Sequence, residues 1–275
     1  MFDAIIRQAL QEDIGRQDIT TANLVPADQQ ARGMLVAKET GIIAGTEVYQ
    51  TVFRCLDPAV RCQVFIADGQ TVKYGDQIAE ITGQTSALLS GERVALNLLQ
   101  RLSGIATRSR NMAERIKAYK TEIIDTRKTT PGLRELEKYA VRVGGGRNHR
   151  FGLYDGVMIK DNHIVAGGGI LNAVKTLRQR VPITVKIEVE VESLEQLELA
   201  LQAGADIIML DNMDTATMQK AVERVAGKAL LEASGGITED RLEEVAQTGV
   251  DFISIGALTH SVKSLDISFD LLEVY

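Results

Sequence analysis

Six short apolar runs, each closed by a charged, hydroxyl or glycine residue and each followed by an amphipathic segment, fill the second half of the chain: "EIIDTR", "DGVMIKDN", "TVKIEVEVE", "DIIMLDN", "ALLEASGG" and "DFISIGAL". This alternation predicts βα units built on a parallel sheet. The runs end at Arg127 and Lys128, then Lys160 with Asp161 and Asn162, then Glu190, then Asp211 with Asn212, then Ser234 with Gly235 and Gly236, then Gly256. From Arg127 the steps between ends are 33, 30, 21, 23 and 22 residues, long enough for a crossover helix each time. An ion left inside a sheet would cost several kcal/mol of desolvation, so these ends belong at a rim. In a βα barrel the carboxyl ends of the strands gather on one face, which carries the chemistry. The expectation is one site with two carboxylates, several cations and two glycine-rich loops.

The helices between the runs carry legible caps. Ser193 with Gln196 makes a capping box before Leu194, Leu197 and Leu201, and Gly204 stops that helix; Gly227 and Gly249 stop the next two. In "TTPGLRELEKYAVRVGGG" the pattern predicts Thr130 as N-cap, Pro131 as first helical residue, an apolar stripe of Leu133, Leu136, Ala140 and Val143, and an end at Gly144.

The first hundred residues have a different texture. Phe2, Ile5, Ile6 and Leu10 suit one face of a helix, and residues 32–83 read as short β pieces punctuated by Gly41, Gly45, Gly69, Gly75 and Gly83. "DGQTVKYGDQIAEITG" is similar to the hammerhead of biotinyl and lipoyl carriers, but no lysine stands at an exposed hairpin tip, so a structural sandwich is expected. A helix follows, with Val94, Leu98, Leu102 and Ile105 at helical spacing.

Charge separates the two halves further. "DTRKTTPGLRELEKYAVRVGGGRNHR" holds seven cations against three acids, a local charge of +4 in a chain of net charge −6. Aromatic residues make up only 4% and Trp is absent, which with the overall acidity argues against nucleic-acid binding. Arg134, Lys138 and Arg142 recur every four residues, as a solvated helix face with Glu137 would; Arg127, Lys128, His149 and Arg150 are the better anion ligands. Bland alternatives are a rim ion pair between Arg127 and Asp125 and a barrel-lining salt bridge between Lys160 and Glu190. His163 and His260 lack metal-ligand spacing and read as structural or peripheral. Cys55 and Cys62 fit neither a redox pair nor a zinc set and read as reduced, buried thiols. With no apolar run of membrane length and no signal-peptide pattern, the expected compartment is the cytoplasm.

"DTRKTTPGLRELEKYAVRVGGGRNHR", "GVMIKDNH", "KIEVEVES", "IIMLDN", "EASGGI" and the N-terminal "EDIGRQDITT" together resemble the quinolinate phosphoribosyltransferases, over nearly the whole chain. The resemblance implies an N-terminal α/β sandwich over residues 1–106 and a C-terminal incomplete α/β barrel over residues 107–275, with the extreme C-terminus returning to the first domain. It implies a homodimer with shared sites, in which Arg93 reaches across from the partner subunit. Arg127, His149, Arg150 and Lys160 would hold the two carboxylates of quinolinate. Lys128, Lys160, Glu190 and Asp211 would handle the pyrophosphate of phosphoribosyl pyrophosphate, with Mg²⁺ at Glu190 and Asp211. Ser234, Gly235, Gly236 and Gly256 would take its 5′-phosphate, where backbone N–H groups and a helix N-terminus face the anion. Lys128, Glu190 and Asp211 would be catalytic. His149 and Arg150 precede the second strand of the barrel, where simple topology puts them on the opposite face, so their place in the site rests on the resemblance alone. The rival enzyme class is a Schiff-base aldolase with Lys160 as nucleophile.

Overall fold

The computed structural model describes residues 3–275, and Phe2 of the N-terminal pattern lies outside them. The chain forms two compact units. The first gathers three pieces, residues up to Arg110, Thr130–Gly145 and Leu258–Tyr275; the second holds Asn111–Thr129 and Gly146–Ala257. No helix among the described residues is long and apolar enough to cross a membrane.

In the first unit, helices α1 (Asp3–Ile14) and α2 (Ile19–Leu24) precede strands β1 (Gln30–Ala37) and β2 (Gly41–Ile42). Then come α3 (Thr46–Leu56), β3 (Arg61–Val64), β4 (Thr71–Val72) and β5 (Gln77–Gln84). The long helix α4 (Thr85–Arg115) follows and buries Val94, Leu98, Leu102 and Ile105, the stripe its spacing predicts. Ile6 and Leu10 of α1 are buried as well. The last strand of the chain, β12 (Ile267–Val274), pairs antiparallel with β1 from Ala37↔Ile267 to Ala31↔Val274 and completes a sheet of order β12-β1-β5-β3.

Helix α5 (Arg134–Val143) also belongs to this unit and differs from the expectation at both face and start. Gly132 has φ +83°, a left-handed turn that keeps Pro131 out of the helix, so Leu133 rather than Thr130 is the N-cap. Lys138 and Glu137 are both fully buried, while Arg134 is half-buried and Arg142 exposed, so this face is solvated only in part. Glu137 is held by Arg101 of α4, whose Nε and Nη2 donate to its Oε1 at 3.0 and 2.6 Å, while Thr130 N–H donates to Oε2 at 3.1 Å. Sequence spacing identifies a helix face but not what packs on it. Gly144 ends the helix as expected.

The second unit is the predicted βα series. Its strands are β6 (Glu122–Ile124), β7 (Val157–Ile159), β8 (Ile187–Val191), β9 (Ile207–Asp211), β10 (Leu230–Ser234) and β11 (Phe252–Ser254). They are linked through α6 (Asp161–Ala166), α7 (Ile170–Arg180), α8 (Leu194–Ala203), α9 (Thr215–Val225) and α10 (Leu242–Gln247), with α11 (Ala257–His260) after the last strand. All six pair in parallel in the order β6-β11-β10-β9-β8-β7. The first two strands of the series are thus the two edges, and the barrel is incomplete between them. Ser193 caps α8 through its Oγ at 3.2 Å from Gln196 N, although the Gln196 amide oxygen accepts from Glu192 N–H instead of closing the box on Ser193.

Register decides what the sheet presents. Parallel partners point to the same side, so the pairs Met158↔Glu188, Glu188↔Ile207, Glu190↔Met209, Glu232↔Met209, Ser234↔Asp211 and Glu232↔Phe252 define one common face. The opposite face is Ile187, Val189, Val191, Ile208, Leu210, Leu231, Ala233 and Ile253, all buried. One face of this sheet is a hydrocarbon surface and the other carries carboxylates and hydroxyls.

Candidate active site

Strand period two extends the polar face by one pleat to Lys160 after β7, next to Glu190, Asp211 and Ser234 at the carboxyl ends of β8, β9 and β10. Lys160 Nζ forms an ion pair with Glu190 Oε2, the salt bridge that the residue types allowed. The backbone N–H of Lys160 donates to His163 Nδ1 at 3.1 Å, so His163 fixes the start of α6, a structural role. His260 is exposed, with Nδ1 2.8 Å from Ser261 Oγ. Asp211 accepts from its neighbour Asn212 Nδ2 at 2.8 Å. Glu190 and Asp211 therefore offer carboxylate oxygens from one face of adjacent strands, a hard donor set of the kind that holds Mg²⁺ together with substrate phosphate.

The loops after β9 and β10 interlock. Asn212 sits at φ +54° with its N–H on Ser234 O at 3.0 Å, and Gly235 sits at φ +95°. A Cβ on Gly235 would lie 2.3 Å from Asn212 Oδ1, so only glycine fits, whereas the space beside Gly236 is open. Gly256 follows β11, and the helices after these loops are short: α10 has six residues and begins only at Leu242, and α11 has four. An anion here would meet loop N–H groups, with Gly256 leading directly into the start of α11.

The cationic stretch divides between the two units. Arg127 and Lys128 are exposed just beyond β6, with Lys128 N–H on Thr126 Oγ1 at 3.0 Å. Arg134, Lys138 and Arg142 lie on α5 of the first unit, as does the exposed Arg93 of α4. His149 and Arg150 return to the second unit by a route the strand count did not reveal. Arg147 pairs in parallel with Ile124 along the open edge of β6, through Arg147 N–H to Ile123 O at 2.8 Å and Asp125 N–H to Arg147 O at 3.1 Å. The fully buried Asp125 carboxylate then accepts from Asn148 Nδ2 at 2.6 Å and from His149 N–H at 2.9 Å. This strap delivers the His149 ring to the polar face, where Nε2 stands 2.9 Å from Glu188 Oε2 and 3.3 Å from Glu232 Oε2. Arg150 reaches Gly156 O at 3.1 Å and Met158 Sδ at 3.5 Å.

Electrostatics follow from this burial. Arg150 is lowered from the ordinary guanidinium value, first by desolvation and then by the like charge of Arg127. Burial pushes Glu188 up to about 7 against the opposing pull of His149. Burial lowers the His149 ring, but hydrogen bonds and charge from Glu188 and Glu232 outweigh it and raise it to about 10. Nδ1 of that ring accepts the Arg150 N–H at 2.6 Å and so keeps its lone pair. With Nδ1 accepting, the hydrogen that the ring turns toward Glu188 and Glu232 is on Nε2. Glu188, Glu232, His149 and Arg150 also line a cavity of about 630 Å³ that reaches past Lys120, Lys186 and Asp251. Those three residues adjoin the amino ends of their strands, so this cavity opens away from Lys160 and Asp211.

Glu188, Glu232 and Asn148 were missed by sequence reasoning, which considered Asp125 only as an ion-pair partner of Arg127. Period two offered the signal for two of them, because Glu188 is two residues from Glu190 and Glu232 two from Ser234.

Comparison with known proteins agrees with this architecture. Residues 18–103 match the family described as "Quinolinate phosphoribosyl transferase, N-terminal domain" and residues 105–270 the corresponding C-terminal domain. The probable nicotinate-nucleotide pyrophosphorylase [carboxylating] of Bacillus subtilis is 52% identical over 260 residues, covering 94% of this chain and 90% of that protein. The NadC crystal structure from Streptococcus pyogenes superposes with a TM-score of 0.94 at 44% identity, covering 99% of this chain and 97% of that one. The nicotinate-nucleotide pyrophosphorylase structure from Francisella tularensis superposes with the same score at 40% identity, covering 98% and 95%. With both domains matched along nearly its full length, the chain belongs to the quinolinate phosphoribosyltransferase family.

Proposed function

We infer that the chain transfers the phosphoribosyl group of phosphoribosyl pyrophosphate to quinolinate with decarboxylation, giving nicotinate mononucleotide, pyrophosphate and CO₂ for NAD biosynthesis. The observation that carries the site is the register that sets Lys160, Glu190, Asp211 and Ser234 on one face at adjacent strand ends.

Each residue has a role suited to its chemistry. Arg127, Arg150 and Lys160 bind the two carboxylates, His149 supports them, and Arg93 is supplied by a second copy in a homodimer. Lys128 and Lys160 counter the pyrophosphate charge, and N–H groups of Gly235, Gly236 and Gly256 with Ser234 receive the 5′-phosphate. Glu190 and Asp211 would hold Mg²⁺, which would neutralise charge on the departing pyrophosphate. As the C1–O bond to pyrophosphate breaks, C1 becomes oxocarbenium-like and the pyridine nitrogen bonds to it. The cationic ring then accepts the electron pair released when the adjacent carboxylate leaves as CO₂, and that carbon takes up a proton. Lys128 stabilises the leaving group electrostatically, and Glu190 and Asp211 would act through the Mg²⁺ they hold, without a covalent enzyme intermediate.

The domain division by sequence at residues 106 and 107 belongs to this reading, as does a cytoplasmic location, which two free cysteines suit. The test is a product assay with quinolinate, phosphoribosyl pyrophosphate and Mg²⁺, following nicotinate mononucleotide and CO₂ together, with nicotinate as control acid. Product from quinolinate alone is expected. No product from either acid would remove the substrate assignment and turn attention to carbonyl trapping at Lys160.

A further inference from the structure

The open edge of β6 is occupied by the strap around Arg147, not by a strand of the sheet. The strap is fastened twice. Backbone pairing and Asp125 tie it to the β6 side, and the His149 ring ties it to Glu188 on β8 and Glu232 on β10. The next residue is Arg150, whose N–H donates to the other nitrogen of the same ring.

Glu188 and Glu232 are almost completely buried, and Oε1 of each has no hydrogen-bond partner among the described residues. Two half-satisfied buried carboxylates are expensive for a fold that could have used leucine at both positions. Their shared feature is Nε2 of His149. A ring with hydrogen on Nε2 and a lone pair on Nδ1 is the form that suits two acceptors on one side and an N–H on the other. We propose that Glu188 and Glu232 are positioning residues: by accepting from His149 Nε2–H they lock the ring, which through Nδ1 fixes the backbone of Arg150, a guanidinium group assigned to the dicarboxylate. The proposal rests on the assignment of Arg127 and Arg150 to quinolinate.

A divalent metal is the competing occupant, because the donor atoms of His149, Glu188 and Glu232 lie within 4.8 Å of one another. A metal on Nε2 of a neutral imidazole places the ring hydrogen on Nδ1, where it would meet the Arg150 N–H at 2.6 Å. The ring orientation selects the proton.

The experiment compares Glu188→Leu and Glu232→Leu, which remove the acceptors, with Glu232→Gln, which keeps one. The leucine variants are expected to raise KM for quinolinate roughly tenfold or more, with KM for phosphoribosyl pyrophosphate within about twofold, and glutamine to restore most of the loss. Glu232→Leu combined with Arg150→Ala should be no worse than Arg150→Ala alone, since both remove one interaction. The chain has three histidines, so ¹⁵N-histidine NMR of the whole protein can read the His149 tautomer, expected to be Nε2–H. A common rise in both KM values, additive effects in the double variant, or a His149 signal with hydrogen on Nδ1 or shifted by stoichiometric Zn²⁺ or Mn²⁺ would overturn the proposal. If the wild-type protein makes no product from quinolinate, the substrate assignment fails instead, and the tautomer remains measurable independently.

Discussion

Both units bury carboxylates, and they do so in opposite ways. Glu137 of the first unit is fully buried with both oxygens engaged, by Arg101 and by Thr130 N–H. Glu188 and Glu232 of the second unit are as deeply buried, yet each leaves one oxygen without a partner around a single histidine nitrogen. A satisfied ion pair is the mark of a joint between elements. A partly satisfied one persists where its geometry serves another group.

The contrast is sharpest when activity and stability are measured on the same variants. Lys160→Ala should lower turnover at least about a hundredfold while moving the thermal midpoint little, because Lys160 sits part-exposed at a strand end. A large stability loss with modest activity loss would reassign it to the fold. Glu137→Leu should do the reverse: loss of a buried partner for Arg101 costs about 3 kcal/mol, read as a lower denaturant midpoint, with KM values of the folded fraction unchanged. Gly235→Ala is expected to combine both effects at smaller size, about 1–3 kcal/mol of backbone strain together with a raised KM for phosphoribosyl pyrophosphate alone; an unchanged KM would dissociate that loop from the phosphate. The smallest effect concerns Cys62 of β3, half-buried rather than fully buried. Burial pushes its thiol up to about 11. Only about a thousandth is thiolate at pH 8, so its alkylation should be slow and rise about tenfold per pH unit up to that value. Rapid labelling at neutral pH would show that the site opens.

Much of the second unit was readable because its signals are local. The polar residue closing each apolar run places Lys160, Glu190, Asp211 and Ser234 at strand ends, and Ser193, Gly204 and Gly144 mark helix ends through bonds within a few residues. The same locality explains the misreadings. Glu137 looked like a solvated neighbour because its spacing carries no information about Arg101, thirty-six residues before it. Pro131 looked helical because the left-handed turn at Gly132 is one of two conformations glycine adopts equally well.

The sequence by itself determined a βα series with polar strand ends, an apolar outer face, and enough family-specific motif to imply quinolinate chemistry. Tertiary structure alone decided that the gap of the incomplete barrel lies between β6 and β7, that the strap runs along that edge, and that His149 enters the polar face beside Glu188 and Glu232. The physical reason is the range of the forces involved. Propensity, capping and pleat act over a few residues, whereas the strap is held by hydrogen bonds and ion pairs between segments distant in sequence, whose partners exist only once the sheet has formed.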